Sequence, residues 1–364
     1  MPKVSIVLPT YNGEKFIKES IESVINQTFT DWELIIVNDC STDGTQEIIE
    51  YFLKIDKRIK CIKNLENKKL PNSLNVGFRV AKGELLTWTS DDNVFLPNAL
   101  QEMVSFLESN LNSYMVCAKM QIIDETGRFI RMHSEYNEID MLYNDCVGAC
   151  FMYRRCVITD VGEYDPNRFL VEDYEYWLRI LLHYGKIDSI NKTLYKYREH
   201  SKSLTGKRKK DIYEQLLRLK KDYVVDIINK YYYKKDVICN TYYELKFRNM
   251  VNEDIEDKCK QICPEIKDEL EIDNKKDIII YGAGEYGNKA YQKYKDKIVF
   301  YVDINQNKIG KHFNNVGIIS MDYLTKYLSK NKTNVLIASQ PRNIHSFIST
   351  LNKYGINKYS VFYC

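Results

Sequence analysis

Near the N-terminus, short apolar runs alternate with segments whose apolar residues recur every three or four positions. Residues 4–8 (VSIVL) form the first run, and Pro9, Thr10, Tyr11, Asn12 and Gly13 end it as a turn cluster. Phe16, Ile17, Ile21, Val24 and Ile25 follow at helical spacing. Leu34, Ile35, Ile36 and Val37 predict a second buried strand, closed by Asn38 and Asp39. Residues 41–45 (STDGT) form a loop with helix-capping residues, and Ile48, Ile49 and Phe52 continue on a helix. Residues 60–63 predict a third strand, residues 74–81 a helix, and residues 84–89 (ELLTWT) a fourth strand that stops at Ser90, Asp91, Asp92 and Asn93. Pro97 is placed for a first helical turn, with Leu100, Met103, Val104 and Leu107 on one face of that helix. Short strands joined by helices predict a parallel sheet covered on both faces. Ligands of such sheets bind outside the carboxyl ends of the strands. Asp39 and the Asp91–Asp92 pair therefore fall on one rim.

Residues 114–160 read as mixed strands and loops. Glu172 and Asp173 open a helix whose apolar face is Tyr174, Trp177, Leu178, Leu181 and Leu182. Residues 207–210 (KRKK) mark a boundary, and the chain is charged and helical from there to 274, with Leu216, Leu219, Tyr223, Val224, Ile227 and Ile228 as one stripe. A new α/β pattern starts at 275. Residues 277–281 (DIIIY) predict a strand, Gly282, Gly284 and Gly287 a glycine turn before a helix, residues 298–302 a second strand ending at Asp303, and residues 335–339 a later one. The expected organisation is an α/β domain over 1–206, a helical connecting region over 207–274 and a second, small α/β domain over 275–364.

Composition narrows the function classes. With 364 residues, 44% hydrophobic and 28% charged, the chain can bury the cores of two domains. A formal net charge of +3 gives no nucleic-acid-sized basic field. The ten cysteines are scattered. Cys146/Cys150 and Cys259/Cys263 have helical spacing without a Cys-x-x-Cys pair or a histidine cluster, so buried reduced thiols are expected rather than zinc or a disulfide framework. Met1, Pro2 and Lys3 run directly into a strand with no leader pattern, and no apolar stretch is long enough to span a bilayer. These features predict a cytoplasmic protein. The basic stretch after Lys207 reads either as a solvated helix face or as a peripheral contact with the inner face of a membrane.

Adjacent carboxylates at a strand end repel each other unless a cation is shared between them. Asp91 and Asp92 thus suit Mg2+ or Mn2+ shared with a diphosphate; the alternative is a solvated loop capping the next helix. Asp39 can accept the imide N–H of uracil or thymine, or close an Asx turn. Asp173 is a candidate general base, or an acidic residue favoured by the helix dipole.

Order and context change these readings. Residues 4–12 (VSIVLPTYN), 36–45 (IVNDCSTDGT), 75–84 (NVGFRVAKGE), 89–97 (TSDDNVFLP), 172–179 (EDYEYWLR) and 197–203 (YREHSKS) occur in the sequence seen in family 2 glycosyltransferases. The chain resembles that family over residues 1 to about 205, and the Ser-Asp-Asp-Asn form is most similar to its spore-coat polysaccharide branch. The resemblance implies a GT-A type nucleotide-binding α/β/α sandwich and an inverting, metal-dependent transfer from a UDP- or dTDP-sugar. The acceptor it implies is a hydroxyl of a glycan or a lipid-linked molecule in cell-surface polysaccharide synthesis. On this mapping Thr10 and Asp39 border the base, Asp91 and Asp92 form the Asp-x-Asp-type element with Asp92 on the metal, Asp173 is the catalytic base, and His200 reaches the metal or diphosphate. The chain departs from the family at Thr89, where many members carry an extra Asp, and at Leu74, where many carry Arg; Lys69 is a candidate replacement cation.

The second α/β stretch carries Gly282-x-Gly284-x-x-Gly287 and Asp303, which resemble a dinucleotide fingerprint. With Gly310 they are more similar to the small Rossmann-like modules of sugar acyltransferases, where a nucleotide sugar binds. The alternative function is therefore a nucleotide-sugar oxidoreductase or epimerase, or a nucleotide-sugar-binding module, acting from this domain. A glycine turn serving only the fold is the plainer reading.

Overall fold

The computed structural model describes residues 1–142, 145–266 and 276–362. They form two compact units, Met1–Leu216 and Leu217–Cys364. The end of the expected helical region, residues 267–274, lies outside the described residues.

The first unit runs β1 (Val4–Thr10), α1 (Ile17–Ile25), β2 (Trp32–Asn38), α2 (Thr45–Ile55), β3 (Ile59–Lys63), α3 (Lys69–Val80), β4 (Leu85–Trp88), β5 (Val94–Phe95) and α4 (Ala99–Ser109). It continues through β6 (Met115–Ile123), β7 (Phe129–Met132), α5 (Glu138–Met141), β8 (Phe151–Arg154), α6 (Cys156–Val161), α7 (Glu172–Tyr184), β9 (Asp188–Arg198) and α8 (Leu204–Lys207), into α9 (Lys209–Tyr231). The sheet order is β3-β2-β1-β4-β8-β6-β9-β5, with β7 paired to β6. β1 is parallel to β2 and β4, and β2 to β3, whereas β8 is antiparallel to β4 and β6.

Every residue of β1 and β2 is buried, as a strand covered on both faces requires. Val4, Ile6, Leu8, Leu34 and Ile36 share one core with Ile21, Val24, Ile49, Phe52 and Met103. The first helical turn expected at Pro97 begins two residues later, because the Leu96 N–H donates to the Leu194 carbonyl and holds this segment against β9 (2.9 Å). α3 starts at Lys69, ahead of the expected residue 74. Its entry is set by Asp39, whose carboxylate accepts the N–H groups of Lys68 and Lys69 at 2.8 and 2.9 Å. Those are N-terminal donors that a helix leaves unpaired.

The second unit contains the later part of α9, α10 (Lys235–Lys246), α11 (Glu253–Ile262), β10 (Ile278–Tyr281), α12 (Glu285–Tyr294), β11 (Ile298–Val302), β12 (His312–Phe313) and β13 (Val316–Ile319). α13 (Met321–Leu328), β14 (Asn334–Ile337), α14 (Ile344–Lys353) and β15 (Ser360–Val361) complete it. The sheet order is β12-β13-β11-β10-β14-β15, parallel except for the short β12. Counted from β10 and leaving out β12, this is the 3-2-1-4-5 order of doubly wound α/β sheets. Val224, Ile228, Tyr242, Tyr243 and Cys259 share a core with Ile279, Val335 and Ile337, so α9, α10 and α11 cover one face of this sheet. Ala290 of α12 packs on the other face with Ile278, Ile280 and Leu336.

Candidate active site

The carboxyl ends of β1, β2 and β4 open onto a cleft of about 1470 Å³ in the first unit. Thr10, Asp39, Asp91, Asp92, Asp173 and His200 all line it. The structure thus gathers these six residues from five separate segments.

Thr10 and Asp39 end neighbouring parallel strands, and the Asp39 N–H donates to the Thr10 carbonyl (2.8 Å). Asp39 is buried, and its Oδ1 also accepts from Asn64 Nδ2 at 2.7 Å. Three donors lock the carboxylate in place, yet two oxygens offer about four acceptor positions, so one remains for a ligand. This replaces the Asx turn with a longer-range cap on α3. The Lys69 backbone sits at φ +69 to present its N–H, and its side chain borders the cleft.

Thr10 Oγ1 donates to Asp91 Oδ2 at 2.5 Å. Burial first, and the Asp92 charge second, push the Asp91 carboxyl up to about 7. Gly13 closes over this pair: a Cβ there would collide with Asp91 Oδ2 and lie 2.6 Å from Thr10 Oγ1. Asp92 Oδ2 is 2.9 Å from His200 Nε2. Behind them Arg198, 2% exposed, donates through Nε to the Asp92 carbonyl (2.9 Å) and pairs with Glu19 (2.6 Å). Its backbone N–H donates to Asn93 Oδ1 (2.8 Å), so β9 fixes the Asp91–Asp92 loop. Thr89, at the position of the extra family Asp, bonds the Tyr195 hydroxyl and is buried away from the loop (2.5 Å).

Among the described residues no group of three or more His, Cys, Asp or Glu side chains is arranged as a metal cage. The donor set nevertheless fits Mn2+ or Mg2+. A carboxylate and an imidazole are adjacent, a second carboxylate carries a like-charge penalty that a cation relieves, and such ions often complete their shell with water and substrate phosphates.

Asp173 lies in the first turn of α7 and accepts the Tyr174 N–H (2.7 Å). Burial, then the charge of Asp145, push it up to about 7. Burial, then the charge of Asp173, push its neighbour Glu172 up to about 8. Glu172 is 4% exposed, and its Oε2 lacks a hydrogen-bond partner. The turn before them carries Leu170 at φ +83, a conformation disfavoured for a branched side chain and common where a site imposes strain. Asp145 lines the same cleft, held by the N–H groups of Val147 (3.0 Å) and Gly148 (3.2 Å). Sequence reasoning missed it, because a single carboxylate in an irregular stretch carries no pattern.

The second-unit residues lie elsewhere. Gly282, at φ +119, and Gly287 form a tight turn in which a Cβ on Gly287 would strike the Gly282 carbonyl. Gly284 caps α12, with nothing within 4 Å of an added Cβ. Asp303 Oδ1 accepts from the Asn305 N–H, and Oδ2 pairs with Lys308 Nζ (both 2.9 Å). Lys308 also donates to the Ala283 carbonyl at 3.0 Å.

A parallel-then-mixed sheet with a carboxylate rim over a cleft defines a GT-A type α/β domain. The chain belongs to glycosyl transferase family 2, whose family model matches residues 5–162. It is 34% identical over 206 residues to the putative glycosyltransferase EpsE of Bacillus subtilis, covering 55% of this chain and 74% of that one. It is 29% identical to the Escherichia coli UDP-Glc:alpha-D-GlcNAc-diphosphoundecaprenol beta-1,3-glucosyltransferase WfgD, covering 58% of this chain and 83% of that one. In fold it is similar to Staphylococcus aureus TarS 1-349 in complex with UDP-GlcNAc, with a TM-score of 0.56, 20% identity, and 71% and 79% of the two chains covered. A longer TarS chain is covered over 50% of its length.

Proposed function

We propose that this chain is an inverting glycosyltransferase that takes its sugar from a UDP- or dTDP-sugar and passes it to a hydroxyl of a glycan or lipid-linked acceptor in surface-polysaccharide synthesis. The observation that carries this reading is the convergence of Asp39, the Asp92–His200 pair and Asp173 on one cleft. WfgD is named for a UDP-sugar donor and a lipid-diphosphate acceptor, and TarS is titled with UDP-GlcNAc; both support the donor class.

Asp39, rigid at the end of β2, accepts the imide N–H of the base, with Thr10 beside it. Asp92 and His200 would hold Mn2+ or Mg2+, which would supply charge neutralisation for the departing nucleoside diphosphate. Asp173 takes the proton of the acceptor hydroxyl as its oxygen forms the new bond to the anomeric carbon and the bond to the diphosphate oxygen breaks. A carboxyl raised to about 7 suits that work at neutral pH better than an ordinary one. One displacement inverts the anomeric centre.

Calorimetric titration of UDP, dTDP and GDP with Mn2+ and with EDTA tests the donor site. Metal-dependent binding of UDP or dTDP, lost in Asp92→Asn, is expected. Asp173→Asn should lower turnover by roughly 10²–10⁴-fold while sparing UDP affinity. Near wild-type turnover in that variant would falsify the base assignment.

The glycine turn of the second unit remains a candidate nucleotide-sugar-binding module, supported by the open space over Gly284. An oxidoreductase or epimerase reading is weakened by Asp303, whose carboxylate is already engaged where a dinucleotide ribose would need it.

A further inference from the structure

β7 differs from the other strands of its sheet in having all four residues exposed. Phe129 is 58% exposed, Ile130 47% and Met132 42%, so neither face of the strand is covered by the described residues. An apolar strand of this kind, left open on both faces, is a surface that proteins normally hide. Arg128 precedes it, and Arg131, within it, pairs with Glu199 at 2.5 Å. That ion pair ties β7 to the segment that follows β9. Between Glu199 and Asp211 the sequence has five lysines and arginines and no acidic residue. Lys202, Lys207, Arg208, Lys209 and Lys210 are all exposed, and Leu204 among them is 44% exposed. Arg131, Lys202 and Leu204 also border the cleft.

We propose that β7 and the basic segment 202–210 form one docking rim, beside the mouth of the cleft, for an anionic lipid bilayer. Two kinds of attraction are required for stable peripheral binding, a few apolar side chains in the headgroup layer and a cluster of cations over anionic headgroups. Phe129, Ile130, Met132 and Leu204 supply the first, and the acid-free run of cations supplies the second. Flexible lysines suit the diffuse potential of a lipid surface, whereas a protein partner would demand acidic residues in register with them. No helix among the described residues is long and apolar enough to cross a membrane. A hydroxyl acceptor carried on a lipid would then meet the cleft from that side.

Flotation of the full chain with phosphatidylcholine vesicles, and with vesicles containing about 30% phosphatidylglycerol, tests the proposal without any turnover. Recovery with the anionic vesicles alone is expected, and it should fall as salt rises. Lys209→Glu with Lys210→Glu should lower the partition more than about tenfold, since each cation near such a surface is worth roughly fivefold. Phe129→Asn with Ile130→Asn should lower it on vesicles of the same charge, with UDP affinity unchanged as the control for folding. Equal recovery on neutral and anionic vesicles, recovery unmoved by either pair of substitutions, or no recovery at all would overturn it. Failure of the transferase reading would instead appear in the UDP titration, which needs no vesicles.

Discussion

Replacing Asp145 by asparagine isolates the charge that faces the candidate base. Asn keeps the side-chain oxygen that receives the Val147 and Gly148 N–H groups at 3.0 and 3.2 Å, so the loop has no reason to move. Only the negative charge is lost. Burial is the larger cause of the raised Asp173 value and survives the substitution; the Asp145 charge is the second cause and does not. The acid limb of kcat/KM should therefore move down by about one pH unit, or ~1.4 kcal/mol less penalty on the ionised base. It should not fall to the ordinary carboxylate range. Glu172 on α7, Tyr164 from the turn before it and Tyr197 from β9 feel the charge of Asp173 itself. The limb therefore reports the set rather than one residue. The assay is initial rate against pH from about 5 to 9, at constant ionic strength, saturating donor and acceptor well below its KM, so that the rate reports kcat/KM for the acceptor. An unmoved limb, or one that rises, would refute the reasoning.

The same groups set a stability trend. Between the ordinary values of 3.8 and 4.5 and the folded values of about 7 and 8, folded Asp173 and Glu172 hold protons that the unfolded chain has released. Their contribution to stability thus falls as pH rises through that window, and Asp145→Asn should flatten the fall.

Gly13→Ala should weaken metal-dependent UDP binding by about tenfold or more, because the new Cβ displaces Asp91 and Thr10; calorimetry reads it directly. Arg198→Met removes a buried cation from the Asp92 carbonyl and from Glu19. Glu19, 55% exposed, is left in water, so the cost is that of the orphaned Asp92 carbonyl, about 1–2 kcal/mol in denaturant titrations, and metal-dependent UDP binding should weaken with it. Gly287→Ala drives a Cβ into the Gly282 carbonyl and should destabilise the second unit by about 1–3 kcal/mol, with UDP titration of the first unit unchanged.

The rim of the cleft was legible in the sequence because strand ends are. An apolar run that stops at Asp39 or at Asp91 fixes both the side of the sheet and the layer in which the carboxylate stands, before any contact is known. His200 follows from motif order alone, since β9 returns to the sheet from far along the chain and its register with β6 shifts twice, and the role of Arg198 beside it was not legible at all. Asp145 was illegible for the opposite reason. It stands outside any regular element, and its place beside Asp173 is decided by tertiary packing. Asp39 stands at the strand end where the pattern puts it, but no local pattern announces that its carboxylate caps a helix beginning thirty residues away.

The glycine turn of the second unit marks a further limit of motif reading. Gly282, Gly284 and Gly287 predict a tight strand-to-helix turn, and the structure has one. The ligand class depends instead on what Asp303 can still accept. Lys308, five residues on, neutralises it and reaches back to the Ala283 carbonyl, placing an ammonium beside the turn. A free carboxylate there could accept a ribose diol, whereas in this chain that acceptor is taken by Lys308. The fingerprint thus fixes the turn but not a ligand, because Lys308, a residue outside it, occupies the carboxylate on which the dinucleotide reading depends.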